Sequence, residues 1–364
     1  VRVISPANSS DDSRRQLLHL LAPPACSTRR PMRDTAAFPS KPRLEPADMS
    51  QSRPLPRLGF IGAGRLARCL ALGFSHAGYP VTAVASRTAA SAGRLASQIP
   101  GCLALDDPQQ VIDNADVVFL AVPDDSIGTS AHILRFEPDQ DQDRDKAGGK
   151  ALVHCSGASP VELLAPARDQ GASIGGFHPL YLFGGEASDV DRIAGCSITI
   201  ESDGALKDTL TALALALRCH PLSIPPGSRM LYHGAAHYAA SFALCSLAEC
   251  VALWRTLGFA EDDALRALLP MLAGTIETAR DKGLSNALAG PISRGDTGVV
   301  QKQLALFESL GGDHAALYGL LSRRAVALAQ RRATPPAAID AISDAVEESL
   351  GRSLNQAAAG ASVK

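Results

Sequence analysis

The chain has 364 residues, 46% of them hydrophobic, enough for two domains with buried cores. Its 35 basic and 37 acidic side chains leave a formal charge of -2, so no single-sign field draws it to nucleic acid or an anionic membrane, and a small-molecule partner is expected. The longest greasy run, 235–257, is broken by Ser241, Ser246 and Glu249, against a membrane span, and eight scattered cysteines without a CxxC pair fit reduced thiols in a cytoplasmic protein rather than a zinc ribbon or a disulfide framework.

Residues 1–52 are rich in Pro, Ser and Arg, and their one apolar cluster is too short for a secretory segment. Asp11, Asp12, Asp34 and Glu45 run against a transit peptide, so a disordered or non-native extension is expected. From Arg57 short apolar runs alternate with helical segments. The pattern predicts strands at 58–61, 81–85, 102–104 and 116–121, with helices at 65–76, 91–98, 107–112 and 126–134. A charged, glycine-bearing surface loop follows over 137–149. Further strands are expected at 151–154 and 173–177 around a helix at 160–167, then a βαβ unit from 197–201, 205–217 and 221–224. This is an α/β reading: a Rossmann-type, doubly wound, mostly parallel sheet over 53–227. Beyond Pro225-Pro226-Gly227 the strand signal stops. Helices at 230–257, 261–282, 297–309, 313–331 and 336–350 predict an all-helical domain over 228–350, with a frayed tail at 351–364.

The first strand runs directly into Gly62-Ala63-Gly64-Arg65-Leu66-Ala67 and then a helix. In that context G-x-G-x-x-A is a dinucleotide fingerprint: Gly62 for the tight turn, Gly64 for backbone approach to a pyrophosphate, Ala67 for helix–sheet packing. The second strand ends in Ser86-Arg87-Thr88 rather than an acid. An Asp or Glu there would take a ribose 2′-hydroxyl, whereas two hydroxyls and a guanidinium suit a 2′-phosphate, so NADP is the expected cofactor. The loop Ala121-Val122-Pro123-Asp124, at the end of another strand, should line the adenine or nicotinamide-ribose side of the same crevice.

The segments GFIGAGRLA, VASRT and DVVFLAVPD with a helical C-terminal half resemble the 6-phosphogluconate dehydrogenase-like oxidoreductases, which include pyrroline-5-carboxylate reductase and 3-hydroxyisobutyrate dehydrogenase. Over residues 57–330 the chain resembles an uncharacterised Rossmann-like group through LVHCSGA (152–158), GGFHPL (175–180), LYHGAA (231–236) and GPISRGD (290–296). The resemblance implies an NADP-linked oxidoreductase and a homodimer paired through the helical domain, which would also help to bind substrate.

Hydride transfer needs a group that protonates or polarises the developing charge. Ser156 follows a strand and either orients substrate, as the similar turn of the hydroxyisobutyrate dehydrogenases implies, or forms a plain ST-turn. His178, held extended by Pro179, either points into the crevice or is satisfied by backbone. His233, His237 and Ser241 share one face of a predicted helix, open to proton donation, to zinc (though without a third ligand at motif spacing), or to packing alone. Laid over the hydroxyisobutyrate dehydrogenases, His237 and Ser241 fall near the catalytic lysine and its asparagine neighbour, so the absent lysine departs from that pattern. Arg294 can clamp a carboxylate or, paired with Asp296, only fix its loop. The expected function is an NADPH-dependent reductase of a small carbonyl or imine. Its rivals are an NADP-binding sensor or scaffold without turnover and an NADP:deazaflavin oxidoreductase, the last at odds with 4% aromatic residues.

Overall fold

A computed structural model describes residues 54–136, 149–186 and 188–361, with side chains to 355. The extension expected over 1–52 and nearly all of the surface loop expected over 137–149 lie outside the described residues.

One eight-stranded sheet organises the first part of the chain, in the order β3-β2-β1-β4-β5-β6-β7-β8. Its strands are β1 (Leu58–Ile61), β2 (Val81–Ala85), β3 (Leu103–Leu105), β4 (Val117–Leu120), β5 (Ala151–His154), β6 (Ser173–Pro179), β7 (Ser197–Glu201) and β8 (His220–Ser223). All neighbours pair in parallel except β6 and β7, which run antiparallel with Gly176 opposite Glu201 and His178 opposite Thr199. The strand order reverses between β1 and β4, and at such a switch point an open α/β sheet leaves a crevice beyond the carboxyl ends of its strands.

β1, β4 and β5 are buried at every position, which explains their unbroken apolar runs: helices cover both faces. On one face Phe60, Phe74, Phe119 and Phe177 form a chain of rings with Phe119 5.2–5.5 Å from each of the other three. The opposite face packs Ile61, Val118, Leu120 and Leu152 under Val111, Ile127 and Leu164. The helices of this part are α1 (Arg65–His76), α2 (Ala89–Ala96), α3 (Pro108–Asn114), α4 (Ile127–Ile133), α5 (Ala165–Arg168), α6 (Asp189–Arg192) and α7 (Gly204–Ala216). Where one helix was expected over 160–167, a 3-10 turn (Val161–Leu164) leads into the single turn of α5.

The rest of the chain is helical, from α8 (Arg229–Ala236) and α9 (Ser241–Thr256) through α10 (Glu261–Lys282), α11 (Leu284–Ala287), α12 (Pro291–Arg294), α13 (Thr297–Leu310), α14 (His314–Gln330) and α15 (Ile339–Ala361). Two expectations are corrected here. The single helix expected over 230–257 is two helices parted by a turn at 237–240, and the tail expected to fray from 351 continues as helix to Ala361. As one piece the stretch Arg229–Thr256 is long and apolar enough to cross a membrane, but it is broken in the middle and begins at a buried arginine tied to the sheet. The last helices share a core of Ile292, Val300, Leu304, Val326, Ile342 and Val346. α9 and α10 bury only Val251, Ala264 and Leu268 and leave Phe242, Leu244, Leu269, Met271 and Ile276 exposed.

Candidate active site

The carboxyl edge of the sheet carries two adjoining constructions. The first is a cradle of about 470 Å³ at the switch point, lined by residues 61–64, Ala85, Ser86, Arg87, Thr88, Ser91, Ala121, Val122, Pro123 and Ser126 among others. Gly62 sits at φ +110°, and a Cβ there would lie 2.2 Å from the Ala121 carbonyl oxygen, so only glycine permits this turn. A Cβ on Gly64 would meet nothing within 4 Å and would instead fill the open cradle. Gly64 caps α1 without a side-chain hydrogen bond, and the first turn of α1 holds no acid. The N–H groups of that turn and the positive end of the helix are left for an anion. These features fit a dinucleotide: a pyrophosphate over Gly64, and beside β2 a polar wall in which Thr88 Oγ1 donates to Ser91 Oγ at 2.8 Å and Arg94 Nη2 donates to the same oxygen at 3.0 Å. Arg87 and Thr88 are exposed there, while Arg65 donates to the Phe183 carbonyl, and Ala67 is buried against the sheet. Leu66 packs beside the same core. Ser91 and Arg94 escaped the sequence reading because α2 begins two residues earlier than its pattern suggested.

The second construction is an assembly of polar side chains. His178 lies on β6 with Nδ1 3.3 Å from the Tyr232 hydroxyl, and the Thr199 hydroxyl lies 3.0 Å from the His178 carbonyl oxygen and 3.1 Å from the Tyr232 hydroxyl, with one proton to serve either. Its ring centre is 5.7 Å from that of His233, which is 5.0 Å from His237. Both the His178 and His233 rings lie over Gly157: a Cβ there would fall 2.4 Å from His233 Cδ2 and 2.9 Å from His178 Nε2. His237 closes α8 as its C-cap and faces Ser241 Oγ at 3.4 Å across the turn. His178, His233, His237 and Ser241 are therefore brought together even though the helix that was to carry three of them is broken.

Arg229 holds this assembly to the sheet. It is 1% exposed, donates to the Ser156 carbonyl at 2.6 Å, and sets Nε 2.7 Å from Glu201 Oε2 without aiming the N–H at that oxygen, so the attraction is coulombic. Its guanidinium occupies the space over Gly176, where a Cβ would lie 1.9 Å from Nη2. That is the reason β6 carries glycine in mid-strand. Burial draws Arg229 below its ordinary pKa, and Glu201 opposes that pull.

The same burial sets the histidines. His178 is pushed down to about 4, mainly by desolvation and then by His233 and Arg229, with Asp124 opposing. His154, fully buried on β5, is pushed down to about 3 by desolvation, Arg229 and His178. Both are neutral at pH 7. His154 Nδ1 accepts the Ser156 N–H at 3.2 Å, which places its own proton on Nε2. If Tyr232 donates to His178 Nδ1, the His178 proton likewise resides on Nε2, the edge beside Gly157.

Ser156 takes a different part from the one the resemblance implied. Its hydroxyl donates to Asp124 Oδ2 at 2.8 Å and accepts the N–H groups of Ala158 and Ser159 at 3.2 and 2.9 Å. One donor and two acceptor positions are thereby filled, so Ser156 forms the ST-turn and positions Asp124. Arg294 is not brought to this assembly by any contact among the described residues. It pairs with Asp296 at 2.8 Å beside a separate hollow lined by Leu288, Gly290, Ser293 and Arg332. Arg332 organises that turn by donating to the carbonyls of Ser285, Leu288 and Ser293.

Fold and site together describe a Rossmann-type protein whose helical C-terminal domain begins at the edge of the cofactor crevice. A Rossmann-like domain matches residues 41–179 and a domain of unknown function (DUF2520) matches residues 196–325, so the chain joins a Rossmann-like domain to a DUF2520 domain. No protein of curated function matches it in sequence. Among solved structures it is similar to protein TM1727 from Thermotoga maritima, with 24% identity and a TM-score of 0.60 over 76% of this chain and 100% of that one. BF3122 from Bacteroides fragilis, provisionally named an NADP oxidoreductase, shares 22% identity with a TM-score of 0.54 over 74% and 98%. A reductive aminase from Aspergillus terreus, solved with NADPH and ethyl-5-oxohexanoate, shares 16% identity with a TM-score of 0.53 over 82% and 94%. At these identities the likeness is one of fold.

Proposed function

We propose that the chain is an NADPH-dependent oxidoreductase that reduces a small carbonyl or imine compound between the Gly64 cradle and the His178 assembly. One observation carries this reading: the cradle and the assembly adjoin, because Pro123 lines the first while Asp124, the next residue, is hydrogen-bonded into the second. The bound dinucleotide would supply the hydride. Arg87, Ser86, Thr88 and Ser91 would hold its 2′-phosphate, and the similarity to proteins named for NADP or solved with NADPH supports that choice.

With Tyr232 donating to Nδ1, His178 would hold a proton at Nε2 and direct it toward substrate, so a neutral imidazole would polarise the carbonyl or imine without placing a full positive charge beside Arg229. Tyr232 fixes the tautomer, Thr199 orients Tyr232, and Arg229 holds the Ser156-Gly157 turn in place. His233 and His237 continue the polar wall. A homodimer through the exposed faces of α9 and α10, in the cytoplasm, completes the reading.

The test is a titration with NADPH and NADH followed by a panel of ketones, keto acids and cyclic imines. Tight NADPH binding with weak NADH binding is expected, and Arg87→Ala should lower NADPH affinity about tenfold or more, the loss of one charge-assisted contact. His178→Asn should abolish turnover while NADPH still binds. Full turnover in His178→Asn, or no affinity for either dinucleotide, would overturn the proposal.

A further inference from the structure

A second hollow opens beside the cradle. It holds about 580 Å³ between α1, α2 and the loop after β6, and meets the cradle at Ala63, Gly64 and Ser91, which line both. Its charged lining residues are three arginines: Arg65 and Arg68, about one turn apart on α1, and Arg94 in the last turn of α2. No acid lines it. The chain has 37 acids to 35 bases, yet among the described residues none of these guanidiniums lies within 4 Å of a carboxylate.

Neutral oxygens hold them instead. Arg65 donates to the Phe183 carbonyl, Arg68 to the Gly185 carbonyl and to Gln98 Oε1, each at 3.3 Å, and Arg94 to Ser91 Oγ at 3.0 Å. Asp189, buried at the start of α6, turns its oxygens to the Gly185 N–H and the Tyr181 hydroxyl. Gly185, at φ +90°, lets the Arg65 stem lie across it, since a Cβ there would fall 2.8 Å from Arg65 Cδ. The three cations are therefore placed by contacts that leave their charge uncompensated, and they repel one another. Donors are also left over. Arg68 Nε is buried without a partner, and Ser91 Oγ, accepting from both Thr88 and Arg94, retains its own proton to give at the shared mouth.

We infer that this hollow is a phosphate subsite, apart from the diphosphate seat over Gly64, taking a phosphate monoester dianion among Arg65, Arg68 and Arg94 with Ser91 at its mouth. Guanidiniums match phosphate oxygens in pairs, and two negative charges on three donor-facing oxygens suit three cations better than a single carboxylate does. The volume is that of a small-molecule site. Two sources present this chemistry: the 2′-phosphate of a dinucleotide, reaching in past Ser91, or a separate phosphorylated compound bound beside the dinucleotide. The inference goes beyond the reductase reading and takes from it only the filling of the cradle by a dinucleotide.

The experiment is calorimetric titration of inorganic phosphate, at about pH 8 where it is a dianion, into the full chain when free, saturated with NAD, or saturated with NADP. Phosphate should bind the NAD-saturated chain, whose diphosphate seat is filled. Arg94→Ala and Arg68→Gln should each weaken that binding about tenfold, the loss of one charge-assisted contact. Arg94 is exposed on α2, so its variant keeps the test sound even where Arg68→Gln unfolds. Phosphate binding that persists beside NADP assigns the hollow to a separate compound. Binding lost beside NADP but kept beside NAD, with Arg94→Ala lowering NADP affinity about tenfold and leaving NAD affinity within about twofold, assigns it to the 2′-phosphate. No phosphate binding to the NAD-saturated chain, or binding that neither variant weakens, would overturn the inference. A chain that binds neither dinucleotide counts against the reductase reading alone, and the free chain then carries the phosphate test through the same two variants.

Discussion

Replacing Arg229 with methionine removes the one charge that joins β7, the β5 turn and α8. Glu201, 6% exposed, would keep only the Gly227 N–H at 3.2 Å. Stranding a buried charge in this way costs about 3–5 kcal/mol. The lost donation to the Ser156 carbonyl belongs to the same event and is not added on top. Against a total stability of about 5–15 kcal/mol this is large but survivable at low temperature. Urea unfolding followed by circular dichroism reads it as a lower midpoint at unchanged slope. The decisive comparison is the double variant Arg229→Met with Glu201→Met. With no charge left to strand, it should recover most of the loss and come within about 1–2 kcal/mol of the parent. A single variant less than about 1 kcal/mol below the parent, or a double variant no better than the single, would refute the idea that this ion pair locks the site.

Two further outcomes follow from the same geometry. The folded-state pKa values of His178 and His154, about 4 and about 3, lie below the ordinary 6.5. Between these values and 6.5 the unfolded chain binds the extra protons, so stability is complete above pH 6.5 and declines as pH falls, by about 1.4 kcal/mol per pH unit for each histidine. The loss should level off below pH 4 for His178 and pH 3 for His154; a melting temperature unchanged from pH 7 to pH 5 would contradict the burial argument. The exposed Phe242, Leu244, Leu269, Met271 and Ile276 should pair two chains, so sedimentation is expected to give a dimer that Leu244→Glu weakens. A parent protein that is monomeric at micromolar concentration would remove that expectation.

Much of the sheet was legible because parallel strands covered on both faces read as unbroken apolar runs. β1, β2, β5 and β7 fall where the pattern placed them, and the Gly62–Ala67 turn stands between the expected strand and helix. The break between α8 and α9 was not legible: residues 237–240 are His-Tyr-Ala-Ala, with neither glycine nor proline, and helical periodicity on both sides bridges the gap. Arg229, Glu201, Thr199 and Tyr232 were also missed. Their partnerships span long stretches of chain, 73 residues between Arg229 and Ser156, and local spacing carries no trace of such a pair. One signal was present. Glycine inside an otherwise apolar strand marks close approach by another group, and Gly176 is such a glycine, with the Arg229 guanidinium over it.

Three of the four segments that carried the family resemblance meet at one place: LVHCSGA supplies His154, Ser156 and Gly157, GGFHPL supplies Gly176 and His178, and LYHGAA supplies Tyr232 and His233. Their common purpose is physical. The pyrophosphate end of the cradle is made by backbone, through glycines and the N–H groups of α1. The neighbouring assembly is made by side chains from β5, β6, β7 and α8, and depends on nearly every one. Between them the Ser156 hydroxyl donates to Asp124 at 2.8 Å and the Cys155 N–H to the Leu120 carbonyl at 3.3 Å, which fastens the β5 turn to the end of β4. Substitutions at the substrate end can therefore change what is recognised while leaving the cradle intact.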